Sequence, residues 1–250
     1  MTNILLCGCC GKMGQAVTNS AETRENVKII CGVDPFGDSS RQYPVYESFA
    51  DVKEKVDVVI DFSNPALFSE LRDYCLANKT PVVVCTTGLS EEQRAEIDEM
   101  AKEIPVFYSG NMSLGVNLLI ELSKKAAAIL GDNFDIEIIE KHHNQKVDAP
   151  SGTAYMIADG ISQVLDNAPE YTYDRHAYRM KRKKNEIGLH AVRGGTIVGE
   201  HEVIFAGNDE VLTITHQAQS KALFATGAIS AATFLYKQKP GLYAMSDMLK

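Results

Sequence analysis

Asn3-Ile4-Leu5-Leu6-Cys7-Gly8-Cys9-Cys10-Gly11-Lys12-Met13-Gly14 opens the chain and decides its fold class. The first five residues form a short apolar run that ends at a glycine, the pattern of a buried strand. A G-x-x-G-x-x-G loop follows, then a helical stretch through Ala16, Val17 and Ala21. Glycines in such a loop let the backbone turn tightly and approach a pyrophosphate, which rests on the N-terminus of the next helix. Gly8, Gly11, Lys12, Met13 and Gly14 are therefore candidate contacts for a dinucleotide. Glycine loops end many strands, so the context matters. Val27-Lys-Ile-Ile-Cys-Gly-Val33 reads as a second strand with Asp34 at its end. An acidic residue there accepts hydrogen bonds from an adenosine ribose. A turn before Pro35 would use the same residue, and the stretch alone leaves both readings open.

The same rhythm continues outward. Val56 to Asp61, Pro81 to Cys85 and Pro105 to Tyr108 read as strands, and Pro65 to Leu76 and Ser90 to Lys102 as helices. Ser90 is the expected N-cap of the latter, with Gln93 as its partner three residues on. Strands alternating with helices predict an α/β fold with a Rossmann-like, doubly wound parallel sheet. Ligands of such sheets bind beyond the carboxyl ends of the strands. Phe62 and Ser63 lie at one such end, Cys85, Thr86 and Thr87 at another, and Ser109, Gly110, Asn111 and Met112 at a third.

The 250 residues, 45% hydrophobic and 23% charged, can bury one large core or two small ones. A net charge of −8 disfavours a nucleic-acid partner. No apolar run reaches the roughly 20 residues of a membrane-spanning helix, so no membrane partner is expected. The N-terminus lacks a basic leader, which makes a cytoplasmic protein with reduced thiols the expectation. The six cysteines include a literal C-x-x-C, Cys7 and Cys10. It reads either as a redox or zinc half-site or as small residues packed beside a glycine loop. With no second ligand pair at metal spacing, the packing reading is preferred and no metal is expected.

The second half is led by Ser113 to Leu130, a helical pattern suited to packing between domains. An alternating strand from Asp135 follows, and then Glu140-Lys-His-His-Asn-Gln-Lys-Val-Asp-Ala-Pro-Ser-Gly-Thr-Ala154. Ser151, Gly152 and Thr153 fall at the start of the next helix, which is expected to run to about Leu165. The first N–H groups of a helix have no internal partner, and with the Ser151 and Thr153 hydroxyls and the Lys146 ammonium they suit a carboxylate. His142 and His143 stand beside them as groups that exchange a proton near neutral pH. Arg175 to Lys184 is basic and reads as a nucleic-acid patch, a solvated loop or a rim attracting a dianion, the last two being preferred at this net charge. Ile187 to Val192, Val198 to Phe205 and Val211 to His216 alternate as strands. His190, His201 and His216 on them are treated as structural. Short strands and tight turns predict an open antiparallel or mixed sheet.

The string E-x-H-H-x-x-K-x-D-A-P-S-G-T-A resembles the signature of the 4-hydroxy-tetrahydrodipicolinate reductase family, which serves bacterial lysine and diaminopimelate synthesis. G-x-x-G-K-M-G near one end and I-T-H-Q-A-x-S-K-x-x-F-A-x-G-A near the other extend the resemblance over the whole chain. The resemblance implies an oxidoreductase that uses NADH or NADPH to reduce a small cyclic dicarboxylate. It implies a dinucleotide-binding domain of residues 1–112 plus 222–250, with the nicotinamide against the three strand ends named above. A smaller α+β domain, 113–221, would bind substrate and form a homotetramer through its sheet. His142 becomes the expected proton donor, with Lys146 as its catalytic partner on a carboxylate. His143, Ser151, Gly152 and Thr153 become expected substrate contacts. Many relatives carry an arginine just after the acidic ribose position; here Pro35 stands there, so NADH is expected to be used at least as well as NADPH, with Lys12 a partial substitute cation. Two competitors remain: another dehydrogenase on the same scaffold, and a cofactor-sensing binding protein without chemistry.

Overall fold

The computed structural model of the chain describes residues 1–37, 40–176 and 179–249, which divide into two units, 1–113 with 222–250, and 114–221. In the first unit the apolar run becomes strand β1 (Thr2–Cys7) and the glycine loop leads into helix α1 (Lys12–Glu22). The chain continues through β2 (Val27–Val33), β3 (Val45–Tyr46), β4 (Val58–Asp61), α2 (Phe68–Asn78), β5 (Val82–Val84), α3 (Glu91–Ala101) and β6 (Pro105–Tyr108). The second unit holds α4 (Leu114–Leu130), β7 (Asp135–His142), α5 (Gly152–Ser162), β8 (Glu170–Thr172), β9 (Glu186–Arg193), β10 (Gly199–Ala206) and β11 (Val211–Ala218). Helix α6 (Ala222–Leu235) and strand β12 (Gly241–Tyr243) return to the first unit.

The first sheet has the order β12-β6-β5-β4-β1-β2-β3, with every pair parallel. Apart from β12 this is the doubly wound order whose direction reverses between β1 and β4. Alternate residues of β1 explain the two helical layers. Ile4 and Leu6 face one core, shared with Val17 of α1 and Ala228 and Ala232 of α6. Leu5 and Cys7 face the other, shared with Leu71 of α2 and Ile97 of α3. Ser90 caps α3 as expected, its Oγ accepting from Gln93 N while Gln93 Oε1 accepts from Ser90 N. The helix expected from Pro65 starts as a 3-10 turn, Pro65–Leu67, capped by Asn64 Oδ1 on the Ala66 N–H. Strands β3, β8 and β12, of two or three residues each, are too short to show alternation and escaped the sequence reading.

The second sheet has the order β11-β10-β7-β9-β8 and is mixed: β10 is antiparallel to β7 and β11, while β9 is parallel to β7 and β8. Its inner face carries Ile136, Ile138, Leu189, Val203 and Phe205 against Leu119 of α4 and Ile157 and Ile161 of α5. Burying each such side chain is worth about 1.5–3 kcal/mol. That layer holds β7 and β10 in register, and the register places the next inner-face residues of β7, Glu140 and His142, at the edge of the same core. Helix α5 stops at Ser162 rather than near Leu165, where Ser162 Oγ turns onto the Ala158 carbonyl and Tyr171.

Candidate active site

The glycine loop has the shape its composition demands. Gly8 adopts φ +74°, and a Cβ there would lie 2.5 Å from the Phe62 carbonyl oxygen. A Cβ on Gly14 would lie 2.4 Å from the Gly8 carbonyl oxygen, so α1 packs directly on the loop. Gly11 is the N-cap of α1 and offers no side chain to its first N–H groups, and the first turn holds no acidic residue. This is a cradle for an anion that only backbone can line. Asp34 is buried at the end of β2; its Oδ2 accepts from Cys10 N at 2.9 Å and its Oδ1 from Phe36 N at 3.2 Å. It thus ties the second strand to the glycine loop, a structural duty beside the ribose reading.

The strand ends converge. A cleft of about 540 Å³ is lined by Met13, by Phe62 and Ser63 after β4, and by Cys85, Thr86 and Thr87 after β5. Ser109, Gly110, Asn111 and Met112 after β6 complete it, together with Gly88 at the β5 end and with Tyr108 and Phe224, the last two of which the sequence reading did not single out. A cleft of this size suits a cofactor moiety. Beneath it Asp61 accepts from Ser63 N (3.0 Å), Ser63 Oγ (2.5 Å) and Thr86 Oγ1 (2.7 Å). Burial raises the Asp61 carboxyl above its usual range even though these donors pull the other way. The Ser63 and Thr86 hydroxyls are therefore committed to shaping the loops.

The cysteine reading needs one change of partner. Cys7 packs in the core on one face of the first sheet and Cys10 against the core on the other, so the C-x-x-C is no pair. Cys9, Cys10 and Asp34 instead bring their donor atoms within 4.8 Å of one another. Asp34 is held by backbone N–H groups there, and burial pushes the Cys9 thiol up to about 12, so these residues are poor metal ligands as they stand. Arg41 was also missed: its guanidinium donates to the Cys9 carbonyl at 2.8 Å and to Gln15, which sets a cation beside the loop. Seven residues after Asp34, it carries no motif that would reveal it.

In the second unit, the signature residues gather at one end of the inner face. Glu140, 1% exposed, sits at the centre of the cluster. Its Oε2 binds His142 Nδ1 at 2.6 Å and Arg193 NH1 at 2.7 Å, and its Oε1 accepts from Arg193 NH2 at 2.6 Å and Ser151 N at 2.9 Å. Burial would raise this carboxyl, but Arg193, His142 and the Ser151 N–H hold it below the usual range. Burial lowers the His142 imidazole; Glu140 opposes that shift, and Lys146 and Arg193 add to it. Ser151 caps α5, its Oγ accepting from Ala154 N at 3.2 Å, and the same oxygen lies 3.1 Å from His201 Nε2. His201 meets His142 edge to face at 5.2 Å between ring centroids, and burial together with His142 pushes it down to about 4. It belongs to the cluster, which β-strand parity at residue 201 signals only once its pairing with Glu140 is known.

Lys146 reaches Asp148, Nζ to Oδ1 2.8 Å, while its N–H binds the His143 carbonyl at 3.1 Å in a tight turn. Lys146 and the Gly152 N–H hold the Asp148 carboxyl below its usual range. The donors expected to grip a substrate carboxylate thus hold an internal one. Gly152 is exposed and Thr153 half-buried at the first turn of α5. Among the described residues of the basic run, Arg175 and Arg182 do not rim this site. Arg182 binds Asp135 and Glu137, and Arg175 binds Glu186. These carboxylates lie at the start of β7 or beside it, between five and seven residues, or about 16–23 Å of strand, from His142. Ala177 and Tyr178 of that run lie outside the described residues. His190 faces outward and binds Glu137 at 2.7 Å.

A doubly wound parallel sheet with a glycine-loop cradle, in a chain whose second unit carries a buried Glu–His–Arg cluster at a helix start, defines a nicotinamide-dependent oxidoreductase of two-domain form. Residues 2–112 match the family profile described as dihydrodipicolinate reductase, N-terminus, and residues 115–249 that described as dihydrodipicolinate reductase, C-terminus. The chain belongs to the dihydrodipicolinate reductase family. It is 54% identical to the 4-hydroxy-tetrahydrodipicolinate reductase of Caldanaerobacter subterraneus subsp. tengcongensis, over all of this chain and 99% of that protein. It is 47% identical to the enzyme of the same name from Clostridium novyi, with the same coverage. Among solved structures, the dipicolinate-bound dihydrodipicolinate reductase from Paenisporosarcina sp. TG-14 matches with a TM-score of 0.81 at 26% identity, covering 98% of this chain and 97% of that one.

Proposed function

We propose that this chain reduces 4-hydroxy-tetrahydrodipicolinate to tetrahydrodipicolinate in lysine and diaminopimelate synthesis, in the cytoplasm. The observation that carries this reading is the His142–Glu140 pair at the start of α5 beside Lys146, in a chain whose full-length relatives bear that name. Loss of water leaves a cyclic unsaturated dicarboxylic imine. A reduced nicotinamide, when bound, would provide the hydride that ring carbon C4 of this imine needs, and the enamine so formed would take a proton at C3. His142 gives that proton. Lys146 binds a substrate carboxylate, in place of Asp148, and offsets charge as it develops. His143, Ser151, Gly152 and Thr153 grip the rest of the dianion, the last two through the first N–H groups of α5.

The first unit holds the reductant. Gly8, Gly11, Lys12, Met13 and Gly14 take the pyrophosphate, and Asp34 takes the adenosine ribose. Phe62, Ser63, Cys85, Thr86, Thr87, Ser109, Gly110, Asn111 and Met112 take the nicotinamide end. Asp34 disfavours a 2′-phosphate by like charge, Pro35 offers no guanidinium, and Arg41 directs its donors onto Cys9 and Gln15. NADH is therefore used at least as well as NADPH. The test is oxidation of each reduced cofactor with substrate generated in place by dihydrodipicolinate synthase from pyruvate and aspartate semialdehyde. Turnover with NADH at or above that with NADPH is expected. Binding of both without oxidation of either would turn the case toward a cofactor-sensing protein.

The assembly is a homotetramer formed through the second sheet. Strand β11 is an edge of that sheet and exposes Val211 and Leu212, surface that self-association covers. Light scattering is expected to report about 110 kDa, four times the chain mass of 27.4 kDa. A monomer mass at micromolar concentration would rule this out.

A further inference from the structure

We propose that Glu140 is a positioning residue for proton transfer: clamped by Arg193, it fixes the His142 ring so that Nδ1 keeps a hydrogen and Nε2 delivers the proton. The inference rests on His142 being the proton donor.

A carboxylate is an acceptor only, with about four lone-pair sites. Glu140 uses all of them: two for Arg193, one for the Ser151 N–H and one for His142 Nδ1. The 2.6 Å contact to Nδ1 therefore requires a hydrogen on Nδ1 in the neutral ring. In the imidazolium both nitrogens carry one, and the transferable proton is the one on Nε2. When it passes to the substrate carbon, the ring is left neutral as the Nδ1–H form, already bonded to Glu140, and solvent restores the Nε2 proton.

Arg193 keeps the carboxylate from turning. It is bidentate to Glu140, and its NH2 also donates to the Asp148 carbonyl at 2.6 Å. Its strand is locked beside β7 by the Gly194 N–H on the His142 carbonyl at 2.9 Å. One buried carboxylate thus joins the His142 ring, the Lys146–Asp148 loop through Arg193, and the start of α5 through Ser151. The charged and titratable groups that face His142 are Glu140 on its own strand, Arg193 from β9, His201 from β10 and Lys146 from the loop. Glu140 alone among them favours the imidazolium. The remaining three are cationic or, for His201, neutral. Turnover that needs the imidazolium is present at low pH and lost as pH rises through the folded-state value of His142. Without Glu140 that loss moves to lower pH.

The experiment compares the parent enzyme with Glu140→Gln and Glu140→Asp. For Glu140→Gln the expected result is a fall in kcat on the order of 100-fold and a change in KM for the dicarboxylate below about threefold. The basic limb of its kcat profile should shift about one pH unit downward. Glu140→Asp is expected to recover part of kcat and most of the limb. Glu140→Gln with kcat within about twofold of the parent and an unmoved limb overturns the proposal. A variant that fails to fold is bypassed by nitrogen NMR of labelled histidines in the parent enzyme above the His142 titration. The Nδ1–H tautomer at His142 supports the assignment and the Nε2–H tautomer refutes it. A parent enzyme with no turnover counts against the proposed reaction instead, while the tautomer still decides what Glu140 does.

Discussion

His142→Gln is expected to lower kcat by roughly 100- to 10,000-fold, the contribution of a general acid in place, while KM for the dicarboxylate stays within about threefold. Glutamine keeps a donor of similar reach, so the ring's place beside Glu140 can be filled and the core edge retained. What glutamine lacks is an ionisable proton. The imidazole is set for the task by opposed influences: burial, Lys146 and Arg193 disfavour its charge, and Glu140 favours it. The net result lies below the ordinary histidine range, burial being the largest influence. Steady-state kinetics with saturating cofactor gives the answer directly. Turnover within about threefold of the parent would take His142 out of the proton-donor role.

Lys146→Ala is expected to lower kcat/KM by about 100-fold, or about 2.7 kcal/mol, the scale of a hydrogen bond between charged partners. Lys146 is already paired in the free protein, with Asp148 at 2.8 Å. A substrate carboxylate gains only the difference between itself and that internal competitor, which keeps the expected loss moderate. Most of the effect should fall on KM if Lys146 acts by binding, and on kcat if it chiefly offsets charge in the transition state. The dissociation constant for NADH is expected to stay unchanged, because Lys146 belongs to the second unit and the glycine loop to the first. An unchanged kcat/KM would show that the carboxylates are held by the α5 N-terminus without the ammonium.

Much of this architecture was legible in advance because its signals are local. An apolar run, a glycine loop and a following helix state a strand–loop–helix opening within about twenty residues, since the turn can be made only where side chains are absent. Strands β2, β4, β5 and β6 of the first sheet announced themselves by short apolar runs between turn residues, and Ser90 with Gln93 marked a helix start by chemistry that acts over three residues. Strand ends in a parallel sheet lie on one side by topology alone, so residues from Phe62 to Met112 could be grouped before any coordinate was known, and they line one cleft. The signature from Glu140 to Ala154 was equally readable, because a strand end, a loop and a helix cap are consecutive in the chain.

What stayed hidden depends on register. Arg193 and His201 lie 53 and 61 residues after Glu140, and nothing near either marks it as a partner of that carboxylate. They meet it only because β9 runs parallel and β10 antiparallel to β7, with His201 opposite Glu140 and Arg193 opposite His142. A slip of one residue would send every one of these side chains to the other face of the sheet. Arg41 beside Cys9 is likewise a product of folding. Covalent neighbours and strand–loop–helix order were sufficient to declare the fold class and to single out the histidine proposed as proton donor. The buried charge balance around that histidine is a property of strand pairing, because electrostatic strength depends on distance and burial in three dimensions and on neither along the chain.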